Sequence, residues 1–363
     1  MVPPDSPMMA PTTGSSNLGL VVSRHEGPPA VWDEFVRTQP HWTHFHLYGW
    51  RTVIERVFGH DCVYLLARDA VTNQVVGALP LVRVRSLIFG HFLVSMPFVN
   101  YGGPIGTASA IRALADEAAR IAAATRVNTL ELRSRVDLPV DLPVSHRKLT
   151  VVLDMPSEPS ALLASFPAKL RSQIKRPTKE GVTMRMGLDE IEPFYRVFAH
   201  HMRDLGTPVL PRRFFETLAE VFPNDVCFAV AYHQGEPVAC GAGFLWNSEF
   251  EITWASALRS HKALSPNMLV YWHLMEQTIA RGARRFNFGR CTRDSGTHKF
   301  KMQWGGQEEP LWWYHNASAG VKSTESATPS PDQGVFAMAT RVWQRLPLPI
   351  ATRLGPRIVR FIP

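Results

Sequence analysis

Cysteine is scarce in this sequence, and its four copies, Cys62, Cys227, Cys240 and Cys291, stand far apart. No pair of them has the C-x-x-C spacing of a redox or zinc motif, so we expect neither a disulfide framework nor a structural zinc site. Three of them lie in apolar, strand-like stretches, where a cysteine is usually a small buried side chain. Cys291 is a conceivable nucleophile, but no neighbouring histidine suggests how its thiol would be activated.

The sequence also lacks long apolar runs and the features of a targeting signal. The N-terminus shows no basic start followed by an apolar stretch, and Gly, Pro, Arg or His interrupts every apolar run well short of a membrane span. Arginine-rich arms, zinc-finger spacings and basic coiled-coil regions are missing as well, which argues against a sequence-specific reader of DNA. We therefore expect a cytoplasmic protein without a DNA partner.

The sequence does contain enough apolar residues for folded cores, together with an excess of positive charge. Hydrophobic residues make up 45% of the 363 residues and charged residues 19%, which is too few charges for a disordered protein. This length favours two domains over one. The net charge of +8 favours anionic partners, such as tRNA, nucleotide-linked sugars, coenzyme A or an acidic membrane surface, without distinguishing among them.

A similar order of elements occurs twice along the chain. Between residues 63 and 134, two apolar runs flank a polar turn, and a helix and a further strand follow. Between residues 226 and 288, a hairpin and a strand precede a helix and a last strand. The repeated order predicts an α/β (α+β) protein with two tandem domains, each a mixed, mainly antiparallel sheet flanked by helices.

These patterns divide the chain into five segments. We expect a first folded domain at 21–148 and a second at 149–315. A tail at 1–20 and a linker at 316–334 are rich in Pro, Ser, Thr and Gly, and we expect the tail to be disordered and the linker flexible. The last segment, 335–363, is basic and amphipathic. Docking on the body is the simpler expectation for it, and contact with an anionic membrane is the alternative.

Three histidines, His41, His44 and His46, raise the question of a metal site. No Asp or Glu joins them locally, and the aromatic residues between them indicate packing. We therefore expect core histidines here and no metal.

The stretch from Ala283 to Gly305, ARRFNFGRCTRDSGTHKFKMQWG, is the richest in candidate functional residues. It begins with a short strand that we expect to end at Gly289, and a polar loop follows. Polar loops at strand ends often carry the chemistry of α/β proteins, although an ordinary solvated loop gives the same pattern. The candidates in this stretch are Arg290, Asp294, Lys299, Lys301 and Trp304.

A second group of cations lies in the segment KLRSQIKRPTKEGV, within a helix that we expect to begin near Ser157. Apolar residues recur there every four positions and predict a core-facing stripe. Arg171 and Lys175 lie one turn apart on another face. Pro177 is expected to stop or kink the helix before Lys179. A solvated basic face is the simpler explanation of these cations, and an anion site is the alternative.

The tripeptide Ser265-Pro266-Asn267 is typical of a helix start, with Ser265 as the cap and Pro266 at the first helical position. A helix N-terminus that follows a strand can bind an anion, so Ser265 and Asn267 are candidates for contact with a phosphate-bearing ligand. A capped helix without any ligand would show the same residues.

Several segments together resemble a known family. The order of elements in both halves resembles the GNAT acyltransferase fold, and the pairing of the halves resembles the FemAB-like group of peptidyl and acyl transferases. The motifs YGGP, KLRSQIKRPTKEGV and GTHKFKMQWGG carry this resemblance. The runs MRDLGTPVLPRRFF, SPNMLVYWHLMEQ and FNFGRCTRDSGTHKFKMQWG, with the tail LPLPIATRLGPRIVR, are similar more specifically to FemAB-related proteins of the PEP-CTERM/exosortase system of Gram-negative bacteria. Apart from the tail, the resemblance covers about residues 20–315.

The resemblance implies an acyl- or aminoacyltransferase that modifies an amine or hydroxyl of a cell-envelope or exopolysaccharide precursor. It implies acyl-CoA or aminoacyl-tRNA as the donor and tRNA as a candidate partner. From the residues themselves we expect no metal, and the basic C-terminal segment makes peripheral contact with the inner membrane a further expectation. The Fem enzymes themselves use aminoacyl-tRNA and attach amino acids to a peptidoglycan precursor. The coenzyme A loop of ordinary GNAT enzymes is glycine-rich, whereas residues 260–265 here read SHKALS, so the donor stays open.

The resemblance also implies roles for single residues, in a direct transfer without a covalent enzyme intermediate. Lys301 would stabilise the oxyanion or a phosphate, and Asp294 and Glu251 are candidate bases. Glu251 is chosen because GNAT enzymes often place a carboxylate on the strand before the capped helix. The residues expected to bind substrate are Arg171, Lys175, Tyr101, Arg290, Lys299 and Trp304, and those expected to face the donor are Ser265 and Asn267.

Two other functions fit the same sequence. The first is a non-catalytic glycan-binding or scaffold module of an exopolysaccharide assembly system, which kept the cleft and lost the coenzyme A loop. The second is an acyl-CoA N-acyltransferase that acts on a small amine. Stabilisation by ligands would separate these possibilities, because a donor that binds only the native state raises its melting temperature.

Overall fold

The computed structural model describes residues 19–86, 89–317 and 334–363. These residues contain fifteen strands, eleven α-helices and three short 3-10 helices. The predicted disordered tail at 1–20 and the predicted linker at 316–334 lie almost entirely outside the described residues. None of the described helices is both long enough and apolar enough to span a lipid bilayer.

The elements of the first half form one sheet and three helices. The strands up to residue 145 are β1 (Leu20–Arg24), β2 (Asp61–Asp69), β3 (Val75–Ser86), β4 (Gly90–Val94), β5 (Ile105–Gly106), β6 (Thr129–Ser134) and β7 (Val144–Ser145). The helices are α1 (Pro29–Thr38), α2 (Gly49–Phe58) and α3 (Ala108–Ala124), with a 3-10 turn at His44–His46.

The second half begins with the strand that follows directly. Its strands are β8 (Lys148–Asp154), β9 (Val182–Met186), β10 (Val226–His233), β11 (Glu236–Trp246), β12 (Glu249–Ala257), β13 (Arg285–Thr292) and β14 (Gln307–Pro310), and β15 (Trp312–Ala317) comes after them. Its helices are α4 (Pro159–Ser165), α5 (Ala168–Lys179), α6 (Ile191–Leu205), α7 (Arg212–Val221), α8 (Pro266–Ala280) and α9 (Gly296–Met302), with 3-10 turns at Leu188–Glu190 and Arg259–Leu264. The chain ends in α10 (Gly334–Gln344) and α11 (Leu348–Val359).

Both sheets are mixed and mainly antiparallel, which confirms the predicted fold class. The first has the order β1-β2-β3-β4-β6-β15-β7, with β5 paired to β3, and its parallel pair is β4 with β6. The second has the order β14-β8-β13-β12-β11-β10-β9, and its parallel pair is β12 with β13. Each parallel pair is connected by a helix, α3 in the first half and α8 in the second, so the two halves repeat one plan.

Strand β15 departs from the boundary that the sequence suggested, because it belongs to the first sheet. It pairs antiparallel with β6 and β7, although the sequence analysis assigned residues up to 315 to the second domain. The hydroxyl of Tyr314 donates to Asp137 and accepts from the backbone N–H of Leu138, which holds the returning strand in place. The chain therefore crosses between the sheets twice, from β7 to β8 and from β14 to β15. The second sheet is connected to the first sheet at both of these points.

The two halves also share an apolar core. The even-numbered residues of β2 from Cys62 to Leu66 contribute to the same apolar cluster as the even-numbered residues of β10 from Val226 to Tyr232. The odd-numbered residues of β2 face a separate cluster under α3, and those of β10 face one under α8. Because side chains alternate across a strand, each sheet is buried on both faces, and its inner face packs in the shared core with α1, α2, α6 and α7.

The predicted end of a strand at Gly289 is wrong, because β13 continues to Thr292. The register shifts between Asn287 and Arg290, and the strand then pairs with β8 again through Arg290, Cys291 and Thr292. Gly289 lies in this bulge with φ +70°, a conformation that favours glycine. A glycine that permits a bulge therefore looked like a strand end in the sequence.

The expectation for the helix near Pro177 is wrong as well. The apolar stripe belongs to two helices, α4 and α5, and α5 continues through Pro177 to Lys179. Leu170, Ile174 and Pro177 are buried on one face of α5, and the helix ends two residues after the proline, so Pro177 removes only one hydrogen bond near the end.

The C-terminal helices pack on the body, mainly against α6. Gly355 of α11 lies so close to Val209 that a Cβ atom there would come within 2.8 Å of the Val209 nitrogen. His60 contacts the carbonyl of Arg360 at 2.7 Å, and the Arg360 guanidinium donates to the carbonyl of Phe58. The final segment thus contacts both halves.

A partly buried ion network fastens the first half to the second sheet. Arg135, just after β6, donates to Glu249 of β12 at 2.6 Å and to Glu309 of β14 at 2.7 Å. Arg285 of β13 contacts the same two carboxylates. The side chain of Glu249 is only 6% exposed, so its charge depends on these partners.

We predict that Arg135→Ala lowers the free energy of unfolding by about 3 kcal/mol, because it leaves a buried carboxylate with fewer partners. The matched control is Arg56→Ala, which removes a 3.4 Å contact to Glu220 that also joins the halves but is exposed on both sides. The control should change stability by less than about 0.5 kcal/mol. Urea denaturation measures both variants, and equal effects would contradict this role of the network.

Candidate active site

The two parallel strands of the second sheet separate at its centre. Strand β12 pairs with β13 at Glu249–Glu251 and Arg285–Asn287, and the two strands diverge after that point. Gly289 lies at the divergence, where a Cβ atom would come within 2.7 Å of the Ile252 carbonyl oxygen. Ligands in α/β proteins often bind where neighbouring strands part, so the residues at this opening are the first candidates for chemistry.

Glu251 lies at the opening and is fully buried. One carboxylate oxygen accepts a hydrogen bond from Asn100 Nδ2 at 2.6 Å, and the other accepts one from the hydroxyl of Tyr101. Both donors belong to the first half, in the segment after β4. The carboxylate of the second domain is therefore held by side chains of the first.

The glycine-proline turn after Tyr101 explains how this segment reaches Glu251. Gly103 lies against β6, where a Cβ atom would come within 2.7 Å of the Arg133 carbonyl oxygen. The backbone N–H of Gly102 donates to the same oxygen at 3.1 Å. The absence of a side chain lets the turn lie directly on β6, which places Tyr101 against the second sheet.

The burial of Glu251 changes its acidity. Loss of hydration raises the pKa of this carboxyl to about 8, and the hydrogen bond from Asn100 and the positive charge of Lys301 oppose that rise only in part. A carboxyl with a pKa near neutrality can exchange a proton during a reaction, which an ordinary surface glutamate does poorly.

Lys301 reaches the same opening from α9. Ser295 caps this helix by accepting a hydrogen bond from the His298 N–H, and His298 and Lys301, three residues apart, are both buried on the inner face. The Lys301 ammonium donates to the carbonyls of Gly289 at 2.6 Å and Arg290 at 3.0 Å. An ammonium has three donors, so one remains for a ligand. Burial lowers the pKa of Lys301 to about 8.

Arg290 adds a second cation at the opening. Arg290 is exposed at the surface, although many protein atoms lie around its guanidinium. The guanidinium carbon lies 5.0 Å from the centre of the Trp313 ring, and that of Arg133 lies 4.4 Å from the same ring. Loss of hydration, followed by the charge of Arg133, lowers the pKa of Arg290 to about 10. Within the described residues, the guanidinium of Arg290 has no ion pair and no hydrogen bond.

A third cation stands beside Arg290. Lys148, at the start of β8, has a lowered pKa because of burial, and because Arg290 and Arg147 lie nearby. Neighbouring cations that lower one another's pKa values are typical of a site that binds an anion.

Asn287 connects the members of the site. Its amide nitrogen donates to the Tyr101 hydroxyl at 3.1 Å and to Glu249 at 2.9 Å. Its amide oxygen accepts hydrogen bonds from Thr150 and from the Gly289 N–H. This residue therefore links the candidate base to the ion network around Arg135 and also holds the bulge open.

The structure brings four of the predicted site residues together, namely Glu251, Tyr101, Arg290 and Lys301. The exposed side chains of Asp294, Lys175 and Lys299 lie outside this cluster, and the Asp294 backbone N–H contacts His298. Arg171 donates to the carbonyls at the end of α4. Trp304 is buried in the apolar cluster under α8, behind the opening.

Ser265 does not act as the helix cap that the sequence suggested, because it has φ +52° and its side chain makes no cap hydrogen bond. The preceding residues 259–264 form a 3-10 helix, and the Ser265 N–H donates back to Lys262. Pro266, at the first helical position, has no N–H. Asn267 is partly exposed at the second position, and its backbone N–H is one of few left for an anion at this helix start.

Four residues around the opening were not predicted from the sequence, namely Asn100, Asn287, Glu249 and Arg135. Asn287 gave one usable signal, as a lone amide between two phenylalanines in a buried strand. The ion network gave none, because its members are far apart in the sequence.

The remaining reactive groups lie outside the opening or are held inside the fold. His44 contacts Asp225 at 3.3 Å, and His46 contacts the Gly103 carbonyl at 2.9 Å. Burial raises the pKa of the Cys291 thiol. Among the described residues, no group of three His, Cys, Asp or Glu side chains is placed to hold a metal ion.

Part of the chain matches a known protein family. Residues 164–302 match the acetyltransferase (GNAT) domain family, a range that contains Glu251, Arg290 and Lys301. The UDP-N-acetylmuramoylpentapeptide-lysine N(6)-alanyltransferase of Weissella viridescens is 24% identical over 140 residues, which are 36% of this chain and 42% of that protein. The chain thus spans about two fifths of the length of this curated relative.

Solved structures show the fold over about four fifths of this chain. The crystal structure of FemX is similar with a TM-score of 0.62 and 14% identity, over 80% of this chain and 97% of FemX. The C-terminal domain of a protein from Agrobacterium fabrum, assigned to the lysylphosphatidylglycerol synthetases, has a TM-score of 0.53 and 13% identity over 79% of this chain and 90% of that domain. The chain therefore has the tandem GNAT-like fold of FemX.

The raised pKa of Glu251 predicts a pH-dependent stability. Between about pH 4.5 and 8, the folded protein holds a proton on Glu251 that the unfolded chain releases, so the contribution of Glu251 to the stability of the wild type falls as pH rises through this window. Glu251→Gln cannot ionise. Its stability relative to the wild type should therefore increase by at least about 1 kcal/mol between pH 5 and 8.

Chemical denaturation at several pH values measures this difference. The control is Glu34→Gln, which changes an exposed carboxylate on α1. A difference between Glu251→Gln and wild type that is the same at pH 5 and pH 8 would show that Glu251 is ionised in the folded protein throughout.

Proposed function

We propose that the protein is a FemAB-like transferase, which moves an acyl or aminoacyl group to an amine or hydroxyl of a cell-envelope or exopolysaccharide precursor. One observation carries the proposal. Glu251 and Lys301 are both buried, each has a pKa near 8, and their charges interact at the opening between β12 and β13, where Arg290 also lies. The GNAT match and the similarity to the alanyltransferase of Weissella viridescens support the same reaction class.

Proton removal is assigned to Glu251 acting through Tyr101. The acceptor nucleophile attacks the acyl carbonyl and gives its proton to the Tyr101 oxygen, while the Tyr101 hydroxyl passes its own proton to the Glu251 carboxylate. The bond between the acyl carbon and the oxygen or sulfur of the donor then breaks, and the proton returns from Glu251 through Tyr101 to that leaving oxygen or sulfur. The existing hydrogen bond between the two side chains provides the path. Tyr101 is itself only 1% exposed, so this relay requires the acceptor to enter the opening beside the Tyr101 hydroxyl.

We assign stabilisation of the negative charge that develops on the acyl oxygen to Lys301 and Arg290. Lys301 has one donor left after binding the Gly289 and Arg290 carbonyls, and it is already fixed in position before a substrate arrives. Arg290, which stands closer to the surface beside Lys148, would bind a phosphate of the donor or of the acceptor. Arg171, Lys175 and Lys299 remain candidates for outer contacts with a large anionic substrate.

The start of α8 bears on the choice of donor. In this chain a 3-10 helix and a proline precede the helix, so few backbone N–H groups are free to bind a pyrophosphate. This geometry favours aminoacyl-tRNA over acyl-CoA, and Ser265 and Asn267 would then contact the end of the tRNA. The connection with the PEP-CTERM/exosortase system and with exopolysaccharide belongs to the proposal through its motif resemblance alone.

We predict that activity has a narrow maximum close to pH 8. Glu251 must be deprotonated to accept a proton, so the rate rises with pH up to its pKa. Lys301 must be protonated, so the rate falls above its pKa. Because Glu251 and Lys301 interact, the two apparent pKa values of the pH–rate profile describe the pair and are not assigned to single residues. Transfer of a labelled acyl group from a panel of aminoacyl-tRNAs and acyl-CoAs to UDP-linked muramoyl pentapeptide and to nucleotide sugars measures the profile.

Variants in the same assay separate chemistry from folding. Glu251→Gln and Tyr101→Phe should lower kcat by about 10² or more, and Lys301→Met by about 10²–10³. Lys179→Met, an exposed lysine at the end of α5, is the matched control and should retain wild-type rates. Full activity in Glu251→Gln would contradict the assigned base. No transfer from any donor, with thermal stabilisation by an anionic glycan alone, would favour the binding-module alternative.

A further inference from the structure

The last thirty described residues have a second face that the body does not cover. Leu348 and Val359 pack against the shared core, and Ala351 and Gly355 are buried, so one side of α11 is occupied. On the other side the helices expose large apolar residues. Nine such residues are exposed in the described part of the chain, and four of them lie here, namely Met338 (64%), Val342 (59%), Ile350 (45%) and Leu354 (38%).

The exposed residues follow one pattern that occurs twice. In α10 and its last turn the order is Met338, Arg341, Val342 and Arg345, and in α11 it is Ile350, Arg353, Leu354 and Arg357. Both sets have the spacing i, i+3, i+4 and i+7, which places four side chains on one face of a helix. All eight side chains are exposed. Each helix therefore presents a stripe of two apolar residues and two arginines to solvent.

The charge of this segment has one sign. Residues 334–363 contain five arginines and no Asp, Glu or Lys. Arg360 is engaged with the Phe58 carbonyl, and the other four belong to the two stripes. Apolar side chains interleaved with arginines suit the boundary of an anionic lipid layer, where the apolar groups enter the acyl region and the guanidinium groups meet phosphates.

We infer that the α10–α11 stripes dock the protein on an anionic membrane surface. The contact is peripheral, because two apolar residues per helix reach only the interface of a bilayer. The docked inner face of α11 would hold the body against that surface. The inference is independent of the proposed transfer reaction, and it would bring the site to a substrate carried on a lipid.

A second copy of the chain fits this surface poorly. A two-fold contact between identical stripes would bring arginines of one copy near arginines of the other, with no acidic residue in the segment to compensate. An anionic lipid surface has no such conflict, so charge complementarity favours the membrane.

Flotation of the purified full-length chain with lipid vesicles tests the inference, without any acyl donor. Vesicles of phosphatidylcholine are compared with vesicles that contain about 30% phosphatidylglycerol. We expect binding to the anionic vesicles that is at least about tenfold stronger than binding to the neutral ones. This binding should be largely lost at about 1 M salt.

Two variants and one control locate the contact. Replacing Arg341, Arg345, Arg353 and Arg357 by Gln, or the four apolar stripe residues by Ser, should weaken binding at least about tenfold with an unchanged circular dichroism spectrum. The control replaces four exposed arginines elsewhere, Arg24, Arg112, Arg126 and Arg213, by Gln and should bind nearly as the wild type does.

Three results would overturn the inference. The first is a wild type that stays unbound at both compositions, and the second is an equal loss of binding in the control and in the stripe variants. The third is a concentration-dependent dimer that the serine variant abolishes, since the stripes would then be covered by a second copy.

Discussion

A buried carboxylate at the meeting point of two domains governs this structure. Glu251 belongs to the second sheet, yet its two hydrogen-bond donors, Asn100 and Tyr101, come from the first half. A buried carboxyl group is unfavourable in either protonation state unless other groups replace its hydrogen bonds to water. The two halves must therefore meet closely and in one arrangement for the site to exist at all. The shared apolar core, the returning strand β15 and the ion network around Arg135 all enforce that arrangement.

The same constraint links fold to chemistry. Where β12 and β13 part, the Gly289 carbonyl accepts a hydrogen bond from Thr150 of β8, and Lys301 donates to the carbonyls of both Gly289 and Arg290. The lysine that completes the bulge is thus also the cation that faces Glu251. Burial moves the pKa values of this acid and this base toward each other, so that both can exchange protons near neutral pH. The same two side chains, Glu251 and Lys301, therefore have structural contacts and are suited to proton exchange.

Local patterns in the sequence predicted most of the elements, because alternation and helical periodicity are set by burial, and here both faces of each sheet are buried. These patterns gave wrong predictions where one residue type is compatible with two different local structures. Gly289 permits a bulge and not a strand end, Pro177 is tolerated near the end of α5, and Ser265 adopts a left-handed conformation instead of capping α8. Glu251 and Lys301 could be named singly. Tyr101 could also be named, but Asn100, the other donor to Glu251, could not, since it lies 151 residues from Glu251 in the chain.

The central claim is that Glu251 titrates near neutral pH because of its burial between the halves. The most direct test is a pH titration of the side-chain carboxyl carbons by ¹³C NMR in glutamate-labelled protein, with the Glu251 signal assigned by its loss in Glu251→Gln. A midpoint well above the ordinary glutamate value, rising further in Lys301→Met as a compensating charge is removed, is the predicted result. A midpoint near 4.5 that Lys301→Met leaves unchanged would contradict the account.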